Sequence, residues 1–252
     1  MLDNINFRDV GGSLTTGGQR VRKGLLYRSG VWQKLKDADL QLVKSLGIQT
    51  IVDLRSLEEQ ERDPSNLPGR LKVSLPCNID KMTRDRLKPL VFKRDADDQI
   101  IQVINSVYTE MVQIMVDPMV QIIRLILTPD RLPLLMHCRA GKDRTGVAVA
   151  MLQWFLGMDR DSIIKEYLRS NLFLMPKISK THKRVRLLTL GLIPKANMQA
   201  AFEVREQYIQ TTFRLVEEQF EGIEAYFRSG GITNEELSQL KMALLENPDD
   251  RL

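Results

Sequence analysis

Cys138 is followed six positions later by Arg144 and then by Thr145. They share the run His137-Cys138-Arg139-Ala140-Gly141-Lys142-Asp143-Arg144-Thr145-Gly146. The apolar Pro133–Met136 leads in and Val147–Leu152 leads out. An apolar strand, a polar turn and a helix start give this pattern. Such a loop gathers backbone N–H groups in one concavity, where the helix dipole favours an anion. The N–H groups from Arg139 through Ala140, Gly141, Lys142 and Asp143 to Arg144 would then hold phosphate oxygens, and the planar Arg144 fork would clasp two more. Gly141 allows the tight bend. A cysteine in that nest is expected to titrate at about 3.5–7.5, so that thiolate is present near neutrality. A thiolate beneath a bound phosphate is a nucleophile aimed at phosphorus. Thr145 is placed to donate to the sulfur.

A bare Cys-x5-Arg spacing is weak evidence, but the full run with its apolar flanks is specific. The second cysteine, Cys77, has Thr83 at the same offset. Two other readings exist for such a loop. A rhodanese-like sulfurtransferase would carry a persulfide on Cys138, against which the Arg144-Thr145-Gly146 ending speaks. An inactive phosphate-binding module would hold the anion without turnover, yet every residue the chemistry requires is present.

The loop resembles the active-site loop of cysteine-dependent phosphatases, and its Gly141-Lys142-Asp143-Arg144-Thr145 variant resembles the atypical bacterial tyrosine and phosphoinositide phosphatases. Asn6–Gly12, Tyr27–Gly30, Ile51–Ser56 with Glu59, and Glu166–Asn171 fit the same family. The resemblance implies an α/β fold with a central, mostly parallel sheet flanked by helices, and hydrolysis through a cysteinyl-phosphate. It implies phosphoprotein or phosphoinositide substrates, with Lys142 as a second cation for a polyanionic headgroup. His137 would orient the loop and help keep Cys138 ionised. Better-known tyrosine phosphatases carry their general acid on a Trp-Pro-Asp loop, but Trp32 precedes Gln33 and Trp154 precedes Phe155. Asp143 is therefore the first candidate acid, Asp53 the second and Asp80 the third.

At 252 residues, 43% of them hydrophobic, the chain is long and apolar enough for one large globular domain or a core domain with an appendage, and the resemblance implies a single phosphatase domain. Two cysteines give no disulfide framework and two histidines no histidine-rich metal site. No metal or other cofactor is expected. A net charge of +5 favours anionic substrates, but no basic stripe interleaved with aromatics suggests nucleic acid. The first residues carry no visible signal peptide and no run is long enough to span a bilayer, so a cytoplasmic location is expected.

Strands are expected at Gly24–Tyr27, Gln49–Leu54 and Leu71–Leu75, and a helix over Asp37–Leu46. Arg8, Asp9 and Arg28 are either surface charges or residues packed around the loop. Asp53 and Arg55 read first as a salt bridge with each other and second as site residues. Residues 78–98, charged and poorly patterned, read as a mobile loop or a connection. Ile100, Ile104, Val107, Met111 and Met115 trace a helix face, broken at Pro118. Residues 78–128 thus form a helical insertion, its methionines either core filler or part of a lid. Lys177, Lys180, Lys183, Arg184 and Arg186 make a solvated face or a contact with an anionic membrane. Phe202, Ile209, Phe213, Val216, Phe220, Ile223 and Phe227 form an apolar stripe that predicts one long amphipathic helix from Ala196 to Phe227, within a C-terminal extension over 195–252. That helix either packs on the catalytic domain or forms a homodimer seam.

Overall fold

The computed structural model describes residues 5–32, 37–64, 71–174 and 192–248. Its sheet is built from short runs, three of them apolar enough to be covered on both faces. These are β3 (Leu26–Ser29), β4 (Thr50–Asp53), β6 (Leu134–His137) and the edge strand β5 (Leu71–Ser74). The first three are buried along their whole length, as parallel strands between helical layers must be. The order is β1-β3-β6-β4-β5, with β1 (Arg8–Asp9) antiparallel to β3 and all other pairs parallel. The α/β architecture with a mostly parallel sheet is as expected. A small ribbon pairs β2 (Arg20–Val21) with β7 (Leu245–Glu246).

Register sets the site. Ser29, Asp53 and His137 are paired neighbours at the carboxyl ends of β3, β4 and β6. Side chains alternate along a strand. Met136 and Cys138 therefore face the larger core with Val52 and Leu54, whereas Leu135 joins Ile51 in the smaller core under α1 (Asp37–Ser45). His137 and Asp53 share the parity of Leu135 and Ile51, so they fall on the face opposite the cysteine.

The helices are α2 (Leu57–Arg62), α3 (Asp80–Val91), α4 (Asp97–Ile114), α5 (Val116–Leu127), α6 (Arg144–Phe155) and α7 (Arg160–Leu168). After 192 come α8 (Lys195–Phe202), α9 (Glu206–Phe220), α10 (Ile223–Ser229) and α11 (Asn234–Leu244). Met111, Met115 and Met119 are fully buried as core filler. Pro118 falls in the first turn of α5, where its missing N–H costs little. The charged stretch read as a loop contains α3, none of whose residues is fully buried.

The single helix expected from 196 to 227 is three helices. The Asn171 side chain takes both backbone groups of Val204, accepting from its N–H at 2.9 Å and donating to its C=O at 2.9 Å. That pairing replaces helical bonds and draws the chain out straight. The second break needs Gly222, whose φ of 114° disfavours any side chain. Ile209, Phe213 and Val216 of the expected stripe are buried in the core of this chain, while Phe202 stays 44% exposed. The basic cluster from Lys177 to Arg186 lies outside the described residues. Among the described residues no helix is long and apolar enough to cross a membrane.

Candidate active site

The loop after β6 is held by its carbonyls. Arg139 O accepts from Val31 N–H at 3.0 Å. Asn6 Nδ2 donates to Ala140 O at 3.2 Å and to Gly141 O at 2.9 Å, and Arg28 Nη2 donates to Gly141 O at 2.7 Å. In a trans peptide the C=O of one residue and the N–H of the next point opposite ways. Anchoring these three carbonyls in the protein therefore turns the N–H groups of 140, 141 and 142 to the other side. That is the side of a cavity of about 580 Å³ whose walls include Cys138, Arg139, Ala140, Lys142, Asp143 and Arg144.

The anchors are themselves braced. Arg8 donates to Glu166 Oε1 at 2.5 Å and to the Asn6 side chain, and Ser170 Oγ accepts from Arg8 at 3.3 Å. Arg28 is fully buried, and burial together with the Arg8 charge pulls it down to about 9. It stays cationic at neutral pH. Arg8, Asp9 and Arg28 thus resolve as framework: Asp9 accepts from the N–H groups of Gly11 and Gly24, each at 2.7 Å.

Gly141 is required twice over. Its φ is 67°, and a Cβ there would sit 2.4 Å from both the C and O of Ser29. Gly141→Ala is expected to destabilise the fold by at least about 2 kcal/mol, as a left-handed position combined with a backbone clash demands. Urea unfolding monitored by tryptophan fluorescence checks this.

Cys138 is 2% exposed, at the floor of the cavity. Arg144 Nη1 donates to Glu59 Oε2 at 2.6 Å, and Glu59 in turn closes a capping box with Ser56 at the start of α2. Burial alone would lower the Arg144 guanidinium, but the Cys138 sulfur and Glu59 raise it above its ordinary value. Glu59 shows the reverse balance: burial raises it, and Arg144 with the Ser56 N–H brings it below its ordinary value.

Asp143 Oδ1 accepts from Lys142 Nζ and from Tyr108 Oη, both at 2.7 Å, and Tyr108 shares a second hydrogen bond of 2.7 Å with Tyr167. Burial pushes the Asp143 carboxyl up, and Lys142 with the two hydrogen bonds outweighs it and holds it low. Lys142 is therefore committed to a neighbour and is not a free cation. Asp80 also lines the cavity, from the first turn of α3.

Two expected site residues are not brought there. Asp53 lies on the far face of the sheet in an ion pair with Arg55 (2.6 Å), in a separate cavity of about 220 Å³. His137 faces the same way, with Nε2 3.5 Å from Asp53 Oδ2. Burial pulls its imidazole down to about 4, so it is neutral at pH 7 and brings no positive charge to Cys138. Thr145 Oγ1 is buried and has no hydrogen-bond partner among the described residues, so the expected donation to the sulfur is absent here. Conversely, Tyr108 and the role of Glu59 were not foreseen.

A cysteine and an arginine lining one cavity, at the end of a strand and the start of a helix, are what the phosphatase resemblance calls for. A model of the tyrosine phosphatase family matches residues 2–246, and the chain belongs to that family. A Cupriavidus necator protein named as a candidate tyrosine-protein phosphatase is 32% identical over 224 residues, covering 88% of this chain and 80% of its own. The triple specificity protein phosphatase PtpB of Mycobacterium tuberculosis is 28% identical over 270 residues, covering 95% and 96%. Pseudomonas aeruginosa TpbA, solved as a cysteine-to-serine variant in complex with phosphotyrosine, aligns over 62% of this chain and 76% of its own at 20% identity and a TM-score of 0.30. The chain is an enzyme, a protein-tyrosine phosphatase.

Proposed function

We propose that the protein hydrolyses phosphomonoesters in two steps through a cysteinyl-phosphate on Cys138. The observation that carries this is the anchoring of the carbonyls of residues 139–141, which turns the N–H groups of 140–142 towards the cavity that Cys138 and Arg144 line. The sulfur attacks phosphorus, the ester oxygen leaves with a proton, and water then releases inorganic phosphate. The N–H groups and Arg144 hold the equatorial oxygens while charge shifts between entering and leaving atoms, and being preorganised they need no reorientation.

Asp143 is the acid at hand in the cavity. It starts as an anion, and the negative charge of a bound phosphate beside it raises its proton affinity. Asp143→Asn is expected to cost about 10²-fold in kcat on an alkyl phosphate and little on p-nitrophenyl phosphate, whose leaving group needs no proton. Initial rates on both esters test this. Equal losses would remove Asp143 from the role.

Phosphotyrosine in proteins is the first substrate. Arg62, Arg84 and Arg139 also line the cavity, and this positive wall supports phosphoinositides as a second class. The triple specificity in the name of the mycobacterial relative agrees with a broad range. Lys142→Ala should lower inositol lipid turnover if Lys142 leaves Asp143 for a headgroup, and unchanged turnover would end the lipid reading.

The decisive experiment is acid quenching during turnover of a phosphotyrosine peptide, followed by peptide mapping. A phosphate adduct on Cys138 is expected. Turnover with no adduct on any cysteine under conditions that trap phosphoenzyme would overturn the two-step path.

A further inference from the structure

Beside the catalytic cavity lies a groove of about 440 Å³ between α3 and α8, and both have Arg84, Leu87, Ala201 and Phe202 in their walls. The phosphate end is rich in charge, whereas the groove is floored by Val91, Met198 and Ile193. Phe92 is 55% and Phe202 44% exposed along it. Apolar surface left open next to a binding site marks a place for a ligand.

Asn197 holds one wall of this groove in place. Its Nδ2 donates to Leu90 O, Val91 O and Lys93 O at 3.1, 3.1 and 2.7 Å, closing the last turn of α3 and fixing which way the amide points. Its Oδ1 is left buried without a hydrogen-bond partner among the described residues. That atom has no accessible surface, so Asn197 acts as a brace between α8 and the end of α3 and not as a ligand contact. What argues the occupant is continuity: the adjoining cavity is that of a protein-tyrosine phosphatase, so the chain that leaves a bound phosphotyrosine is a polypeptide, and the walls shared by the two cavities lead it into the groove. Arg84 and Lys88, one turn apart and exposed on α3, add positive charge alongside.

We propose that this groove is a specificity subsite for the polypeptide flanking the phosphorylated residue, and that it takes an apolar side chain. The proposal rests on the reading that the Cys138 cavity takes the phosphate. The spacing follows from α3. Thr83 lines the catalytic cavity and Val91 the groove. They are separated along the helix by about 12 Å at ~1.5 Å per residue. An extended peptide covers that length in about three or four residues at ~3.3 Å each. The preferred substrate therefore has an apolar residue about three or four positions from its phosphotyrosine, with acidic residues tolerated between them.

The test uses the full chain and a set of phosphotyrosine peptides in which one leucine is moved through an alanine background. A rise of about tenfold in kcat/KM is expected for leucine three or four positions away on one side, as burial of one such side chain allows. Phe92→Asp and Ile193→Asp, which line the groove and not the catalytic cavity, should flatten that profile and leave p-nitrophenyl phosphate turnover unchanged. A flat profile in the wild type would overturn the proposal. So would substitutions that spare the peptide preference but cut turnover of eight-carbon relative to four-carbon phosphatidylinositol phosphates, assigning the groove to an acyl chain. Absence of p-nitrophenyl phosphate turnover in the wild type would instead strike at the phosphatase reading itself.

Discussion

Cys138→Ser is expected to lower kcat/KM on a phosphotyrosine peptide by about 10⁴- to 10⁶-fold, the scale on which removal of a covalent nucleophile acts. A serine hydroxyl fits the same space but carries no anion at neutral pH. The loop is held from behind by Asn6, Arg28 and the Val31 N–H, none of which touches the sulfur, so the anion site should survive. Affinity for inorganic phosphate or vanadate is therefore expected to stay within a few-fold of wild type. Retention of more than about one per cent of the activity would place the nucleophile elsewhere. Cys77 is a poor substitute, because it is fully buried and burial pushes its thiol up to about 12. The variant should thus bind without turning over, and calorimetry with vanadate beside a rate assay separates the two properties.

The phosphate loop was legible in the sequence because its chemistry needs neighbours in the chain: the thiol, the bend and the arginine lie within seven residues. The parallel strands were legible for a similar reason, since β3, β4 and β6 are short, apolar and followed by polar turns. The misplacement of Asp53 and His137 was avoidable. With Leu135 and Ile51 on one face, alternation puts His137 and Asp53 with them, and Cys138 on the other face. For His137 proximity to the cysteine in sequence hides that parity, and for Asp53 its place at the carboxyl end of a neighbouring strand does. Gly222 was likewise a visible stop within the aromatic repeat. The extended turn at Val204 had no local signal, because its cause is the side chain of Asn171, 33 residues earlier. Tyr108 sits in the helix whose buried face Ile100, Ile104, Val107, Met111 and Met115 trace, and nothing in that spacing singles it out. That its hydroxyl reaches Asp143, 35 residues on, follows from how α4 packs beside the loop, which no periodicity encodes. Glu59 was noted as a motif member, but its partner Arg144 is 85 residues away.

Arg144→Lys is expected to lower kcat by about 10²- to 10³-fold with a smaller change in KM, the loss typical when a preorganised donor to developing charge is removed. Arg144 spends Nη1 on Glu59 Oε2 at 2.6 Å, with Nη2 3.4 Å from Oε1, so Glu59 fixes the plane of the guanidinium at the cavity wall. A planar fork can serve the carboxylate on one edge and a phosphate on the other. A lysine ammonium has no second edge and must share one point charge between them. Glu59→Gln keeps an acceptor but not the charge, and a loss of about tenfold is expected there. Arg144→Ala tests the same pair through stability. It leaves a carboxylate that is 2% exposed without its cation, which should cost about 3–5 kcal/mol at pH 7.5. The pH dependence gives the sign. In the wild type the Glu59 carboxyl is lower folded than unfolded, so its contribution is constant above the unfolded value and is lost only as pH falls below it. Without Arg144, burial, the largest single influence, is opposed only by the Ser56 N–H and Arg139, so the folded carboxyl rises, and acidification from pH 7.5 towards 5.5 should stabilise Arg144→Ala while leaving the Glu59 contribution in the wild type unchanged. Urea midpoints at the two pH values measure it, and parallel shifts in both proteins would mean that Arg144 does not carry the charge of Glu59.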